Sequence, residues 1–205
     1  MDSLTENAMT LILIGLNIAV SLFGFSRTAF TERYLLHVGA ILQQRQWDRL
    51  ITSGFLHGGF FHLAMNLYVL FMFGRIVEQI LGSTDFLIVY LASLLGGSCW
   101  SVLENLRKPD YRALGASGAV SGIVMSLIVF APTATFYPLG IPMPGLVFGF
   151  AFISISAVLA QNENKVIGHE AHLGGALAGL LTTFVVYPDS LSIFSTQIAA
   201  LWGGQ

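Results

Sequence analysis

Long apolar runs with almost no charge constrain this chain more than any other feature of its sequence. A membrane-spanning helix needs about 20 predominantly apolar residues, and segments of this kind lie at about 8–25, 60–81, 84–104, 114–131, 145–161 and 171–187. Only 10% of the residues are charged, against about 25% in soluble domains. The sequence therefore predicts an all-α, polytopic membrane protein built as a bundle of six transmembrane helices.

The remaining composition narrows the class further. A chain of 205 residues suits one domain, so a single membrane domain covering 1–205 is expected, with lipid as its surroundings. The net charge of −2 makes nucleic acid an unexpected partner, and Cys99 as the lone cysteine excludes an internal disulfide. The N-terminus lacks a basic region and a clear cleavage site, which favours a retained first span. The tail 189–205 has helical apolar spacing, typical of an interfacial helix, although a frayed tail fits equally well.

Three polar side chains occupy equivalent places in alternate segments. His62, Ser117 and His172 each lie within about one turn of the N-terminal end of the second, fourth and sixth segments. Since these segments run in the same direction, the three residues are expected near one membrane face and at similar depth. Helix N-termini also offer unpaired N–H groups and partial positive charge, which would stabilise an oxyanion forming at Ser117.

Ser117 and His172 have the side chains of a nucleophile and its base. A neutral imidazole can take the serine proton and later deliver it to a leaving amine. Taken alone, Ser117 could simply permit close packing, and His172 could be a buried histidine bonded to a carbonyl. Ser121, one turn deeper, and His169, in the polar loop before the sixth segment, are the competing nucleophile and base. Gly175 and Gly179 would let this helix press against another, plausibly the fourth.

His62 and Asn66 stand four residues apart, on one helical face. Both could donate hydrogen bonds to an oxyanion, or they could simply join helices, and His57 could line the same mouth. A metal site formed by His57, His62 and His172 has no carboxylate at helical ligand spacing and no His-Glu-x-x-His run. No cofactor and no metal are therefore expected.

Together these motifs resemble the rhomboid family of intramembrane serine proteases. The resemblance is carried by His62 with Asn66, by the run Gly115-Ala116-Ser117-Gly118, and by Ala171-His172 followed by Gly175 and Gly179. It implies a six-helix bundle, a dyad of Ser117 as nucleophile and His172 as base, and an oxyanion hole formed by the Ser117 N–H, His62 and Asn66. It also implies that the substrates are transmembrane helices of other proteins. Two departures are visible, because Asp48 separates Trp47 from Arg49 where the family often has Trp-Arg, and Ser121 stands where many members carry an aromatic.

Orientation is where the residues and the resemblance disagree. Eight of the nine Lys and Arg residues lie in or beside the first, third and fifth loops: Arg27, Arg33, Arg45, Arg49, Arg107, Lys108, Arg112 and Lys165. Positive-inside counting puts those loops in the cytoplasm, whereas the family's usual arrangement faces them away from it. We follow the family and expect a multi-pass protein of the cell (inner) membrane. The oligomeric state stays open, and a catalytically silent rhomboid-like chaperone or a small transporter remains the alternative to a protease.

Overall fold

A computed structural model describes residues 7–137, 140–162 and 169–203 of the chain. Its helices are α1 (Ala8–Ser26), α2 (Thr28–Tyr34), α3 (Val38–Gln44), α4 (Arg49–Thr52), α5 (Phe60–Leu81), α6 (Ser83–Glu104), α7 (Ser117–Phe130), α8 (Gly145–Asn162), α9 (His169–Val186) and α10 (Asp189–Gly203). A 3₁₀ turn follows α4 at Ser53–Phe55, and α5 contains a π-helical turn at Leu70–Gly74. The predominantly helical fold predicted from the sequence is confirmed.

Three of these helices, α1, α5 and α6, are long and apolar enough to cross a membrane. A fourth span results if α9 and α10, which are bent by 113° at their junction, are taken together. Helix α7 and the part Gly145–Ile155 of α8 are apolar but shorter than this test requires. The chain is an integral membrane protein, and the exact count of six spans stays a prediction.

Small residues let α6 and α7 pack closely against α9. A Cβ atom added at Gly97 of α6 would lie 2.6 Å from the Ala171 carbonyl oxygen, and one added at Gly174 of α9 would lie 2.7 Å from the Gly96 oxygen. On the other side of α9, Gly175 and Gly179 contact Gly118 and Gly122 of α7. The expectation that the two glycines of the sixth segment press it against the fourth is therefore confirmed. Such close backbone approach is how helices associate in lipid.

The first loop folds into short helices and is tied to the third loop. Strand β1 (Leu36–His37) pairs antiparallel with β2 (Arg112–Ala113), and β3 (Thr135–Phe136) pairs with β4 (Met143–Pro144). Arg49 is buried and donates to the backbone oxygens of Glu32 and Leu35 at 3.0 and 2.6 Å. The first loop thus has a structural arginine although Asp48 separates it from Trp47.

At the far end of α5, the carboxylate of Glu78 caps the start of α1. It is 1% exposed and accepts hydrogen bonds from the N–H groups of Met9 and Thr10 at 2.9 and 2.8 Å. The hydroxyls of Thr10 and Ser83 donate to it at 2.7 Å each. A carboxylate at a helix N-terminus satisfies unpaired donors and complements the helix dipole, so this charge holds α1 against α5 and α6.

Candidate active site

Ser117 is the first residue of α7, and the turn before it requires glycine. Gly115 has φ +133°, a backbone conformation that L side chains rarely adopt. A Cβ there would lie 2.6 Å from Cε1 and 3.0 Å from Nε2 of His62, and 3.7 Å from Oγ of Ser117. The His62 ring therefore lies against this turn, next to the half-buried Ser117 hydroxyl.

His172 lies in the first turn of α9 and is 3% exposed. The start of α9 contacts the start of α7, because a Cβ at Gly118 would lie 3.1 Å from the Ala171 oxygen. These two contacting residues are the direct chain neighbours of Ser117 and His172. The predicted nucleophile and base consequently lie on the touching ends of two helices. His169 begins the same helix, but its side chain lies outside the described residues.

His62 and Asn66 face inward from α5, at 9% and 7% exposure. The Gly58 N–H donates to Nδ1 of His62 over a long 3.5 Å, which assigns the proton of a neutral ring to Nε2. The side-chain amide of Asn66 donates one hydrogen bond to the His62 carbonyl oxygen at 2.9 Å, and its second N–H is not part of that bond. Each side chain thus has an N–H suited to oxyanion binding.

A small polar cavity borders Ser117. Its volume is about 20 Å³, which is the space that one water molecule requires. The hydroxyl-bearing residues Ser53, Ser98 and Ser101 line it together with Ser117 and Ala171. The half-buried serine therefore has room for about one water molecule beside it.

A polar contact joins the third loop to the start of α9. The Tyr111 hydroxyl in the third loop donates to Oε2 of Glu170, at the start of α9, over 3.1 Å. Burial, reinforced by the charge of Glu170, raises the pKa of Tyr111, so the phenol stays protonated and can donate. This contact links the third loop to the helix end that carries His172.

The structure also brings to the site two residues whose parts the sequence did not reveal. Nδ1 of His57 lies 2.8 Å from the Ser21 hydroxyl of α1, and the Ala116 N–H donates to Nε2 of His57 at 3.4 Å. The rings of His57 and His62 meet edge to face, with centroids 5.0 Å apart. His57 was expected only at the mouth. A polar residue within the first apolar segment was the one available signal for Ser21.

Comparison with known proteins finds a matching family and several similar proteins. The chain matches the Rhomboid domain family over residues 44–189. It is 30% identical over 183 residues to Rhomboid protein 1, mitochondrial, of Saccharomyces cerevisiae, covering 82% of this chain and 50% of that protein. It is 34% identical over 146 residues to the putative rhomboid protease YdcA of Bacillus subtilis, covering 68% and 67% of the two chains.

Another relative is named a rhomboid protease, without the word putative. Rhomboid protease GluP of Bacillus subtilis is 32% identical over 148 residues, which cover 68% of this chain and 26% of that protein. The matched region spans half or less of the plant, yeast and human mitochondrial relatives, at 43%, 50% and 38% of their lengths. The shared part contains all four predicted site residues, since 44–189 includes His62, Asn66, Ser117 and His172.

Proposed function

This chain belongs to the rhomboid family, and we propose that it is an intramembrane serine endopeptidase that cleaves peptide bonds in or near transmembrane helices of other membrane proteins. One observation carries the proposal: the N-terminal ends of α7 and α9 touch through Gly118 and Ala171, the neighbours of Ser117 and His172. A half-buried serine and a buried histidine on the touching ends of two helices, with N–H donors on a third helix, are the groups that acyl transfer needs.

The proposed reaction uses no group from outside the chain except water. Oγ of Ser117 attacks the scissile carbonyl carbon while His172 accepts the hydroxyl proton. The resulting oxyanion accepts hydrogen bonds from the Ser117 N–H, from Nε2–H of His62 and from the second amide N–H of Asn66. His172 returns its proton to the leaving amine as the C–N bond breaks, and water, activated by His172, then hydrolyses the acyl-enzyme. Free Ser117 and a new carboxyl end result.

The test is cleavage of a model transmembrane substrate by the purified protein in liposomes, with Ser117→Ala as the matched control. The proposal predicts product from the wild type and none from the variant. Binding of the substrate by both proteins without any product would favour the catalytically silent alternative. Cleavage by the variant would exclude the dyad.

We also propose that the protein lies in a cell (inner) membrane with the first, third and fifth loops, and the mouth above Ser117, facing away from the cytoplasm. Residues 163–168 of the fifth loop lie outside the described residues. The folded loops support this orientation, because they engage several arginines that positive-inside counting would place in the cytoplasm. Arg33 pairs with Asp48 at 2.8 Å and Arg112 with Glu32 at 2.7 Å, and Arg49 is buried. Several relatives are named as mitochondrial, so the membrane itself needs testing.

Cysteine labelling of intact cells tests the orientation. In a Cys99→Ala background, Asp110→Cys in the third loop should react with an impermeant thiol reagent added outside. Thr84→Cys, at the Glu78 end of α6 and exposed, is the control and should react only after the cells are opened. The reverse pattern would support the positive-inside count and overturn this orientation.

A further inference from the structure

A buried chain of hydrogen bonds runs from α1 to the turn that precedes Ser117. Ser21 is 0% exposed and His57 is 3% exposed. Oγ of Ser21 lies 3.0 Å from the Phe55 carbonyl oxygen and 2.8 Å from Nδ1 of His57, and Nε2 of His57 lies 3.4 Å from the Ala116 nitrogen. These contacts join three segments that are far apart in sequence.

The proton positions along this chain follow from the capacities of its members. A carbonyl oxygen only accepts, so the single hydroxyl proton of Ser21 points to Phe55. Nδ1 of His57 must then carry a proton and donate it to Oγ of Ser21. A neutral imidazole has one N–H, which leaves Nε2 as an acceptor for the N–H of Ala116. In this one arrangement, each of the four linked groups (the Phe55 carbonyl, the Ser21 hydroxyl, the His57 ring and the Ala116 N–H) has a hydrogen-bond partner.

The neutral state of His57 is favoured by its surroundings. Burial, with a smaller contribution from His62, lowers the pKa of His57 to about 3. At neutral pH the ring is therefore uncharged and keeps an acceptor nitrogen. A doubly protonated ring, or a neutral ring with its proton on Nε2, would direct an N–H at the N–H of Ala116.

The backbone before Ser117 is held at two successive amides. The Gly115 N–H donates to the Ser53 oxygen at 3.0 Å, and the Ala116 N–H donates to His57. These two bonds limit rotation of the peptide that delivers the Ser117 N–H and Oγ. A misplacement of about 1 Å at a reacting group can cost about 10²-fold in rate.

We propose that His57, set in its Nδ1–H form by Ser21, is a positioning residue that holds the turn before Ser117 in the geometry for attack. The inference rests on the proposed protease function for its kinetic consequences, but the arrangement of protons stands apart from it. In this role His57 itself touches neither the substrate nor the reacting atoms.

The kinetic test compares two substitutions of His57. His57→Leu removes the acceptor, and kcat should fall about 10–10²-fold with KM nearly unchanged. His57→Gln keeps an acceptor for Ala116 and a donor for Ser21, so it should recover most of that loss. Ser21→Ala should lower kcat as well, but the double variant Ser21→Ala/His57→Leu should be no slower than His57→Leu, because the two act through one bond chain. Ser126→Ala, a buried serine deeper in α7, is the control and should leave kcat unchanged.

The spectroscopic test reads the protons directly. In protein with ¹⁵N-labelled histidine, the His57 signals are identified as those that His57→Gln lacks. In the wild type they should show a protonated Nδ1 and an unprotonated Nε2. Ser21→Ala should raise the share of the Nε2–H form. A protonated Nε2 in the wild type would overturn the proposal even if His57→Leu fails to fold. If His57→Leu folds, additive kinetic losses in the double variant would overturn it as well. An inactive wild type with the Nδ1–H form intact would instead overturn the protease function and leave the arrangement standing.

Discussion

The two ends of α5 hold their buried polar groups in different ways. At one end, the Glu78 carboxylate receives four hydrogen bonds from Met9, Thr10 and Ser83. At the other end, His57 and His62 are neighbouring rings, and the serine beside them is half-buried next to a cavity. The first cluster pairs a charge with every available donor, which is what a buried charge needs for stability.

In the proposed protease, the second cluster would leave its N–H donors and the Ser117 hydroxyl available to a substrate. The second N–H of Asn66 and the N–H at Nε2 of His62 are suited to a charge that arises only during reaction. Under the proposed function, the two clusters differ in whether their hydrogen bonds are completed by the fold or by the reaction. Substitutions at the Glu78 end should change stability, and those at the Ser117 end should change activity.

The largest predicted effect is at the dyad. Ser117→Ala and His172→Ala should each abolish detectable cleavage of a transmembrane substrate, and the double variant should be no worse, because the pair acts as a unit. Thermal unfolding of Ser117→Ala should match the wild type, since one hydroxyl contributes little to packing. Ser121→Ala, one turn deeper in α7 and buried, is the control and should still cleave. Turnover by purified Ser117→Ala would exclude this mechanism.

Asn66→Ala should slow cleavage without eliminating it. The Ser117 N–H and His62 would remain as oxyanion donors, so the expected loss is about 10–10³-fold, the scale of one donor. Labelling of Ser117 by a small phosphonate should decline less than peptide turnover. A wild-type cleavage rate would mean that Asn66 serves only its hydrogen bond to the His62 carbonyl and the packing of α5.

Glu78→Gln should lower the stability of the protein and leave its activity nearly unchanged. The amide removes the charge and points an NH₂ group at N–H donors, so the free energy of unfolding should fall by about 1.5–3 kcal/mol. Cleavage per folded molecule should stay close to the wild type, because Glu78 lies at the far end of α5. Asp85→Asn, in the first turn of α6 and not fully buried, should cost less than about 1 kcal/mol. A stable but inactive Glu78→Gln protein would break the division between the two ends.

The smallest predicted effect is a pH dependence of stability at His57. Its pKa is about 3 in the folded protein and near 6.5 in the unfolded chain. Between these values the unfolded state binds a proton that the folded state does not, so stability falls as the pH drops below 6.5. Between pH 6.5 and 5 the wild type should lose about 1.5 kcal/mol more than His57→Gln. Equal losses in unfolding titrations of the two proteins would contradict the buried, neutral ring.

The sequence predicted the parts of the fold that depend on local pattern. The predicted spans 60–81 and 84–104 coincide with helices Phe60–Leu81 and Ser83–Glu104, because apolar length alone marks such segments. Pro132 and Pro188 follow the ends of α7 and α9, as expected of residues that cannot continue a helix. The short helices of the first loop carry no comparable signal and were not predicted.

The site was predictable where spacing on helices carried the information. The positions of His62, Ser117 and His172 in the sequence, relative to the apolar segments, were enough to place each of them near the N-terminal end of its helix. The bond between Ser21 and His57 could not be predicted, because it depends on how α1 packs against a loop 36 residues away along the chain. The contact between Tyr111 and Glu170, 59 residues apart, was hidden for the same reason.

Labelling of the purified protein by a serine-reactive fluorophosphonate, with mass-spectrometric mapping of the modified residue, shows whether Ser117 is the nucleophile. It reads nucleophilicity at one atom and does not depend on the natural substrate. We expect one modified residue, Ser117, and loss of labelling in both Ser117→Ala and His172→Ala, while Glu78→Gln should still react. An unlabelled wild type, or a label on Ser121 or any serine other than Ser117, would contradict it.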